Sequence, residues 1–285
     1  MSPLKIIVHN VGHGQAVHAF TPDGKVVVID LGTSADFSPL EWLSSYTKTI
    51  DSLVITHPHG DHIDEMLLIG DLGFDVRQFW RPKWLPVKDV YAQNQATYQD
   101  KLDAYFEMSG RYSEGIATTE LVGNPAVTGG VTIEKFASAT CGTSNINNHS
   151  GVVVFDHLGI RVVIPGDNEP PSWKELLKQP DFVGMVSGMH VFMASHHGRK
   201  SGYCTELFSA LNKNAPRLCV ISDARVQDTD ATQRYSYHAD GWKIHSRSGA
   251  DSEDRNCLTT RTDGPIEIEI GTNQAGKTYL SVMAN

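Results

Sequence analysis

Short apolar runs of strand length recur from the first residues onward, and most of them end on polar or glycine-containing turns. Leu4 to Val8 and Gln15 to Phe20 read as strands. Thr21-Pro22-Asp23-Gly24 has Pro second and Gly fourth, the placement that suits a type I turn, so a hairpin is expected there. The returning run Lys25-Val26-Val27-Val28-Ile29-Asp30 reads as a buried strand that ends on an acid. Ser38 to Tyr46 predicts a helix, with Ser38 as N-cap and Pro39 at its first position. Asp51 to Ile55 is a further buried strand, and the residues from Ile63 to Ile69 have the composition of a helix. Gln78 to Trp80 reads as a short strand.

Val87 to Met108 predicts one long helix with Tyr91, Tyr98, Leu102 and Tyr105 on a single stripe, a pattern that fits packing better than recognition. Ser109 to Gly130 has no strong period and is the candidate for a lid or insertion. In the second half, Gly151 to Phe155, Ile160 to Pro165, His190 to Ala194 and Arg217 to Ser222 read as strands. Helices are expected from Pro170 and over Gly202 to Leu211. Ile266 to Ile270 alternates and is expected to pair with Tyr279 to Val282.

A chain of 285 residues, 40% hydrophobic and 20% charged, suffices for one large α/β domain or two small ones, and one domain over 1–285 is the reading taken. No apolar run approaches the ~18 residues of a membrane span, and the segment from Met1 to Lys5 leads into a strand rather than a signal peptide. A soluble, cytoplasmic protein with no membrane partner is expected. Cys141, Cys204, Cys219 and Cys257 are scattered, which suggests reduced thiols rather than a disulfide framework or a cysteine zinc site. The net charge of −9 weighs against a broad basic face for duplex DNA, while a local basic patch stays open. No repeat of solenoid period is visible.

The densest chemistry is Thr56-His57-Pro58-His59-Gly60-Asp61-His62, between a strand and a helix. His57 and His59 alternate in extended backbone and share a face; Asp61 and His62 open the helix and can point into the same volume. Imidazole and carboxylate suit zinc, manganese or iron, and α/β sheets place ligands at strand C-terminal ends. The plainer alternative is a His-rich surface turn. The pattern resembles the signature of the metallo-β-lactamase superfamily. That resemblance implies an α/β fold of the four-layer αββα sandwich type with a dinuclear site at one sheet edge, His57 and His59 on one metal and Asp61 and His62 on the other.

The same resemblance assigns further roles. Asp30 would brace the ligand turn, the alternative being a cap or a solvated acid. Gly166-Asp167 is similar to the superfamily's Gly-Asp, whose carboxylate bridges the metals. His149, in Asn145-Ile146-Asn147-Asn148-His149-Ser150, is a candidate third ligand of the first metal; an Asn in that place would leave one metal weakly held. Val11-Gly12-His13-Gly14-Gln15-Ala16 resembles the Val-Gly-Gln-Gly-Asp-Ala loop of the branch named for the competence protein ComEC, with His13 and Gln15 exchanged. His13 is then a candidate substrate contact or an exposed loop residue. Ser195-His196-His197-Gly198 resembles that branch's Ser-His-His-Gly-Ser, with Arg199 where Ser is usual. His196 is expected on the second metal, and His197 behind it or facing substrate. Arg234-Tyr235-Ser236-Tyr237-His238 resembles the branch's Arg-Tyr-Gly-His-Pro, so Arg234 could hold a phosphate and His238 could donate a proton to the leaving oxygen, unless it is a surface histidine. The resemblance covers nearly the whole chain except about 84–130, read as an insertion.

In function, the resemblance implies a hydrolase holding two divalent ions, zinc or manganese, that uses a metal-bound hydroxide, with Asp61, His197 and His238 closest to the chemistry. A phosphodiester is the first choice of substrate. With 24 Lys and Arg against 33 Asp and Glu, a small nucleotide or single strand is as plausible as duplex DNA. The alternatives are a hydrolase of a small ester, lactone or thioester, and a metal-binding regulatory module without turnover. Oligomeric state is left open.

Overall fold

The computed structural model describes residues 2–211, 216–224, 232–249 and 252–285, so Met1 of the opening segment lies outside the described residues. Two sheets carry the architecture. The larger runs, in spatial order, through Glu253–Arg255, Trp242–Ser246, Thr278–Ala284, Ile266–Thr272, Leu4–Val8, Val17–Phe20, Val26–Ile29, Ser52–Val54 and Phe79–Trp80. The smaller runs through Cys257–Thr259, Leu218–Ile221, Val191–Met193, Ile160–Ile164, Val152–His157 and Val131–Phe136. The chain crosses from the larger sheet to the smaller and back twice before it ends.

Alternation along the strands decides what each face meets. Leu4, Ile6 and Val8 turn inward with Val17 and Ala19 and pack against Val153, Phe155, Val162, Ile164 and Val220 of the other sheet. The outer face of the larger sheet is covered by Leu40, Leu43, Ile63, Met66, Val90, Leu102 and Tyr105 from helices and turns. The outer face of the smaller sheet is covered by Trp173, Leu176, Phe182, Leu207, Phe208 and Tyr235. Three apolar layers between four structural layers make this an αββα sandwich, as expected. Among the described residues, no helix is long and apolar enough to cross a membrane.

Ser38 caps the helix Pro39–Ser44 by accepting from the Glu41 amide at 3.0 Å. The hairpin closes with the Gly24 amide donating to Thr21 O at 2.9 Å, and Gly24 takes φ 77°, which favours glycine. The long helix expected over Val87 to Met108 is two helices, Val87–Ala92 and Gln99–Arg111. Its break has a polar cause. Asn94 Nδ2 donates back to Val90 O and across to Pro58 O, both at 2.9 Å, while Gln93 Nε2 donates to Thr143 O and its Oε1 accepts from the Ile146 amide. Side chains that serve other segments hold the backbone out of a continuous helix. Of the expected stripe, Leu102 and Tyr105 are buried in the outer core, and Tyr98 turns instead to the ligand turn.

The strands that matter for function end together. Val26–Ile29, Ser52–Val54 and Phe79–Trp80 are parallel neighbours, and so are Ile160–Ile164, Val191–Met193 and Leu218–Ile221. Their carboxyl ends deliver Asp30, Thr56-His57, Asp167 and Ser195 to one edge of the sandwich. The polar segment containing Arg234 is a short helix, Thr232–Tyr237, lying on the smaller sheet through Tyr235.

Candidate metal centre

Asp30 leaves its strand at φ 58°, in the left-handed region that Asp tolerates better than most residues. That turn points its carboxylate inward, where it is fully buried and accepts four hydrogen bonds. Thr56 N donates to Oδ1 at 2.7 Å; Thr56 Oγ1, His62 Nδ1 and Gln15 Nε2 reach Oδ2 at 2.7, 2.7 and 2.8 Å. Burial pushes the Asp30 carboxyl above its ordinary value, opposed by His62 and Thr56. The consequence is local: Asp30 fixes the Nδ1–H tautomer of His62, which leaves Nε2 as a lone pair facing away.

What His62 Nε2 faces is also made of acceptors. It lies 3.3 Å from Asp167 Oδ1 and 3.3 Å from His197 Nε2. His57 Nε2 lies 3.8 Å from Asp167 Oδ2 and 2.9 Å from His59 Nδ1. His197 Nε2 lies 3.3 Å from Asp61 Oδ2 and 3.5 Å from Asp167 Oδ2, and His13 Nε2 lies 3.4 Å from the same Asp61 oxygen. Among the described residues, two sets of three have ligand atoms close enough for one ion: His57, His62 and Asp167, and His13, Asp61 and His197. Asp167 stands between them, within 4 Å of a nitrogen in each.

Such a set repels itself unless protons or cations are shared among its members. Burial disfavours charge on His62 and His197, yet Asp167 and its neighbouring carboxylates raise His62 well above the usual histidine value and push His197 up to about 9. Burial alone would raise Asp61 and Asp167; His62 and His197 instead hold both well below the carboxylate range. Burial lowers His57 and His59, which stay neutral with lone pairs available. Asp167 Oδ1 is also buried without a hydrogen-bond partner. Nitrogen and carboxylate donors in this arrangement fit one or two divalent transition ions.

The consecutive histidines both approach Asp167. His197, expected behind the second metal or facing substrate, points Nε2 into the cluster and is buried. His196, expected on the second metal, turns Nδ1 to Glu169 Oε1 at 3.2 Å and Ser201 Oγ at 3.0 Å, with Nε2 3.6 Å from Asp167. Both residues take φ 52°, so the alternation of an extended chain does not apply here. His149 joins neither set of three. It is buried, with Nδ1 2.9 Å from both Trp84 Nε1 and Ser138 O, and its Nε2 has no partner. Asn147 and Asn148 are buried beside it, and Asn148 Oδ1 accepts from the Ser172 amide at 3.4 Å.

His238 does not stand free at the mouth. It stacks on Phe208 with ring centroids 4.0 Å apart, and its Nε2 meets the Tyr203 hydroxyl at 2.6 Å. The Arg234 guanidinium lies over the Tyr203 ring at 5.4 Å. A different cation, Arg199, reaches the cluster: its guanidinium is 3.2 Å from His13 Nε2 and its Nε is buried without a partner. Arg199 and His13 are 186 positions apart, so no local pattern announces their contact. The side chains of His13 and Asp61 are 30% and 23% exposed while those of His57 and His62 are sealed, which puts the open side of the cluster at His13, Asp61 and Arg199.

Residues 12–64 match the sequence model of the family described as metallo-beta-lactamase superfamily. The matched stretch holds His13, Asp30 and the whole ligand turn. No curated protein matches the chain. Among solved structures, the chain is similar to a Thermotoga maritima protein named as a zinc-dependent hydrolase of that superfamily, at 12% identity and TM-score 0.40, over 90% of this chain and 97% of the other. It is similar to zinc-bound PqqB of Methylobacterium extorquens at 10% identity and TM-score 0.45, over 82% and 94%. It is similar to the long form of RNase Z from yeast at 12% identity and TM-score 0.40, over 78% and 38%.

Proposed function

We propose that this chain is a metal-dependent hydrolase of the metallo-β-lactamase superfamily, acting on a phosphodiester of modest size. The observation that carries the reading is the pair of facing ligand sets, His57, His62 and Asp167 against His13, Asp61 and His197, with Asp167 between them. His59 adds to the first set through its contact with His57. Two divalent cations, when bound, would supply positive charge where negative charge develops in the reaction and make a water acidic enough to attack at neutral pH.

The chain's own residues do the rest. Asp30 holds His62 in the tautomer that leaves Nε2 free to ligate, and Thr56 holds Asp30. Asp61, on the open side, accepts a proton or orients the attacking water. Arg199 places a guanidinium at the rim, where two non-bridging oxygens of a phosphodiester suit its fork. Arg199 therefore takes the phosphate-binding role expected of Arg234. The shortage of cations over the whole chain favours a substrate with few phosphates.

The ComEC-like loop over Val11 to Ala16 and the Ser195 to Gly198 turn both contribute to this rim, which supports a place near that branch. Residues 84–130 are then an insertion within a single domain, since Leu102 and Tyr105 share the outer core. A small ester, lactone or thioester would use the same cluster with Arg199 on a carboxylate.

The test is a panel of phosphodiester and carboxylic ester substrates with zinc and with manganese, scored against Asp61→Ala and Arg199→Ala, with metal content measured on each protein. Asp61→Ala should abolish turnover. Arg199→Ala should weaken substrate binding by about 1.5–3 kcal/mol, the worth of a hydrogen bond to a charged group, without loss of metal. Turnover of esters alone would move the assignment to the second reading, and turnover surviving in Asp61→Ala would defeat both.

A further inference from the structure

Glu169 stands just before the helix Pro170–Leu176, in extended backbone at φ −111°. Its carbonyl accepts from Ser172 Oγ at 2.9 Å and from the Trp173 amide at 3.1 Å, which pins the backbone there. Short acceptors such as Ser or Asp are preferred in this place because their oxygens reach back to the first turn. The Glu169 carboxylate makes no such bond to its own helix. It reaches across to two other segments instead.

Oε2 accepts from Asn145 Nδ2 at 2.8 Å, and Asn145 is itself held, since its Oδ1 accepts from the Asn147 amide at 3.1 Å. Turning the Asn145 amide over would break both bonds. With Oε2 tied in this way, Oε1 lies 3.2 Å from His196 Nδ1. Ser201 Oγ is 3.0 Å from the same nitrogen, but a hydroxyl donates or accepts and so selects neither tautomer. A carboxylate only accepts. Nδ1 of His196 therefore carries the hydrogen, the neutral ring keeps its lone pair on Nε2, and Nε2 faces Asp167 Oδ2 at 3.6 Å.

His62 stands in the same way on the other oxygen of Asp167. Asp30 holds its Nδ1 at 2.7 Å, and its Nε2 lies 3.3 Å from Asp167 Oδ1. One bracing carboxylate follows the strand Val26–Ile29 of the larger sheet, and the other follows Ile160–Ile164 of the smaller. Asp167 is thus bracketed by two imidazoles, each turned by an outer carboxylate so that a lone pair meets an acceptor. Such a bracket repels itself unless a cation or a proton lies within it, and imidazole nitrogen with carboxylate oxygen is a donor set for divalent transition ions.

We propose that Glu169, clamped by Asn145, is a positioning residue of the metal centre, fixing the tautomer in which His196 Nε2 serves as a ligand beside Asp167 Oδ2. The proposal rests on the metal-centre reading but not on any choice of substrate. Glu169 acts through His196 alone and does not touch the ion. Its side chain is 17% exposed where that of Asp30 is sealed, so replacing it disturbs the ligand more than the fold. In Glu169→Gln, one orientation sets the new amino group against the Asn145 amino group, donor to donor. The other sets it against His196 Nδ1 and favours hydrogen on Nε2, which then cannot ligate. Adding Asn145→Asp gives that amino group an acceptor, still accepts from the Asn147 amide, and returns the Gln oxygen to His196.

The experiment is competition of the full chain against a chromophoric chelator for zinc, with the visible spectrum of the cobalt-loaded protein and the urea midpoint of the metal-free protein as companion readouts. Glu169→Gln should weaken zinc about tenfold, the lower end of what outer partners of metal ligands contribute, and shift the cobalt bands. Adding Asn145→Asp should recover most of that loss. His196→Asn, chosen because Asn tolerates the φ of 52°, should weaken zinc at least as much, and Glu169→Gln should add less than twofold in that background. Zinc binding by the parent with Glu169→Gln within twofold of it would overturn this proposal and leave the metal centre standing. So would a further loss in the His196→Asn background, or a fall in the urea midpoint with zinc affinity and cobalt spectrum unchanged, the mark of a structural clamp only. A parent chain that binds no zinc or cobalt would defeat the metal-centre reading, and this proposal with it.

Discussion

Asp30→Asn tests the centre at the point where fold and chemistry meet. The substitution keeps size, and Asn tolerates the φ of 58° at least as well as Asp, so the backbone is not what changes. What changes is hydrogen bonding in a fully buried place. Oδ2 serves Thr56 Oγ1, His62 Nδ1 and Gln15 Nε2, whereas Oδ1 serves only the Thr56 amide. The cheaper orientation of Asn puts its oxygen at Oδ2 and its amino group against the Thr56 N–H, donor facing donor. One charge-assisted bond is lost, about 1.5–3 kcal/mol, and one buried N–H is left unpaired, about 1–3 kcal/mol, so the fold should lose on the order of 3–5 kcal/mol. Because the carboxylate also raises the basicity of His62, metal affinity should fall by about 10–100-fold. Urea unfolding of metal-free protein measures the first effect, and competition with a chromophoric chelator measures the second. An Asp30→Asn protein with the parental urea midpoint and parental metal affinity would refute the brace.

Two further outcomes follow from other parts of the structure. Burial lowers His9 from its usual 6.5 to about 4, so the unfolded chain binds the extra proton first and stability falls as pH drops from 6.5 to 4. The loss from His9 is on the order of 3 kcal/mol, and urea titrations across that window should be less steep in His9→Phe; equal slopes would count against burial as the cause. At Gly60, an added Cβ would lie 2.4 Å from the Tyr98 ring, so Gly60→Ala should push the 96–98 turn off the ligand turn and destabilise the protein by about 1–3 kcal/mol, as overpacking does. Adding Tyr98→Ala should restore much of that loss, and a double variant no better than Gly60→Ala would show that the contact is not the reason for glycine there.

Much of the sandwich is written in local pattern. Runs such as Val26 to Ile29 and Val152 to Phe155 are apolar on both faces because each is covered twice, by the other sheet and by helices, and such runs are legible without context. Other elements were not found because their signal is not local. Trp242–Ser246 and Glu253–Arg255 expose much of their length at the sheet's edge and carry little apolar pattern, and Val131–Phe136 follows a glycine-rich stretch that masks its start. Pro180–Val186 is a helix that lies close behind another and reads as its continuation. The break at Gln93 and Asn94 depends on Pro58, Thr143 and Ile146, which no window around Asn94 contains. For the candidate centre, the segments that converge could be read from their motifs, but the direction of each side chain could not. Arg199 was visible only as an exchange for Ser, and its value lies in a neighbour 186 positions away.

The turn that carries His196 and His197 shows why direction escapes pattern. A left-handed residue other than glycine costs about 1–3 kcal/mol, and two in succession persist only where the surroundings over-determine them. Here the surroundings do. Ser195 Oγ donates to Asn168 O at 2.5 Å and Gly166 O at 3.1 Å, and the His196 amide donates to Gly166 O at 3.1 Å. Gly198 and Gly202 admit no Cβ, since one would lie 2.8 Å from Ile221 Cγ2 and the other 2.5 Å from Ser195 O. The same bonds tie this turn to the next strand end. Ser150 Oγ accepts from the Asp167 amide at 3.1 Å, and the Gly151 amide donates to Thr56 O at 2.8 Å, which returns the chain of contacts to Asp30. His197 and Asp167 are thus set by one continuous network, and the strain at His197 is held by the backbone that also aims the carboxylate it faces. A centre built this way keeps its acceptors converging even where each alone would turn away, and that convergence is the property a cation requires.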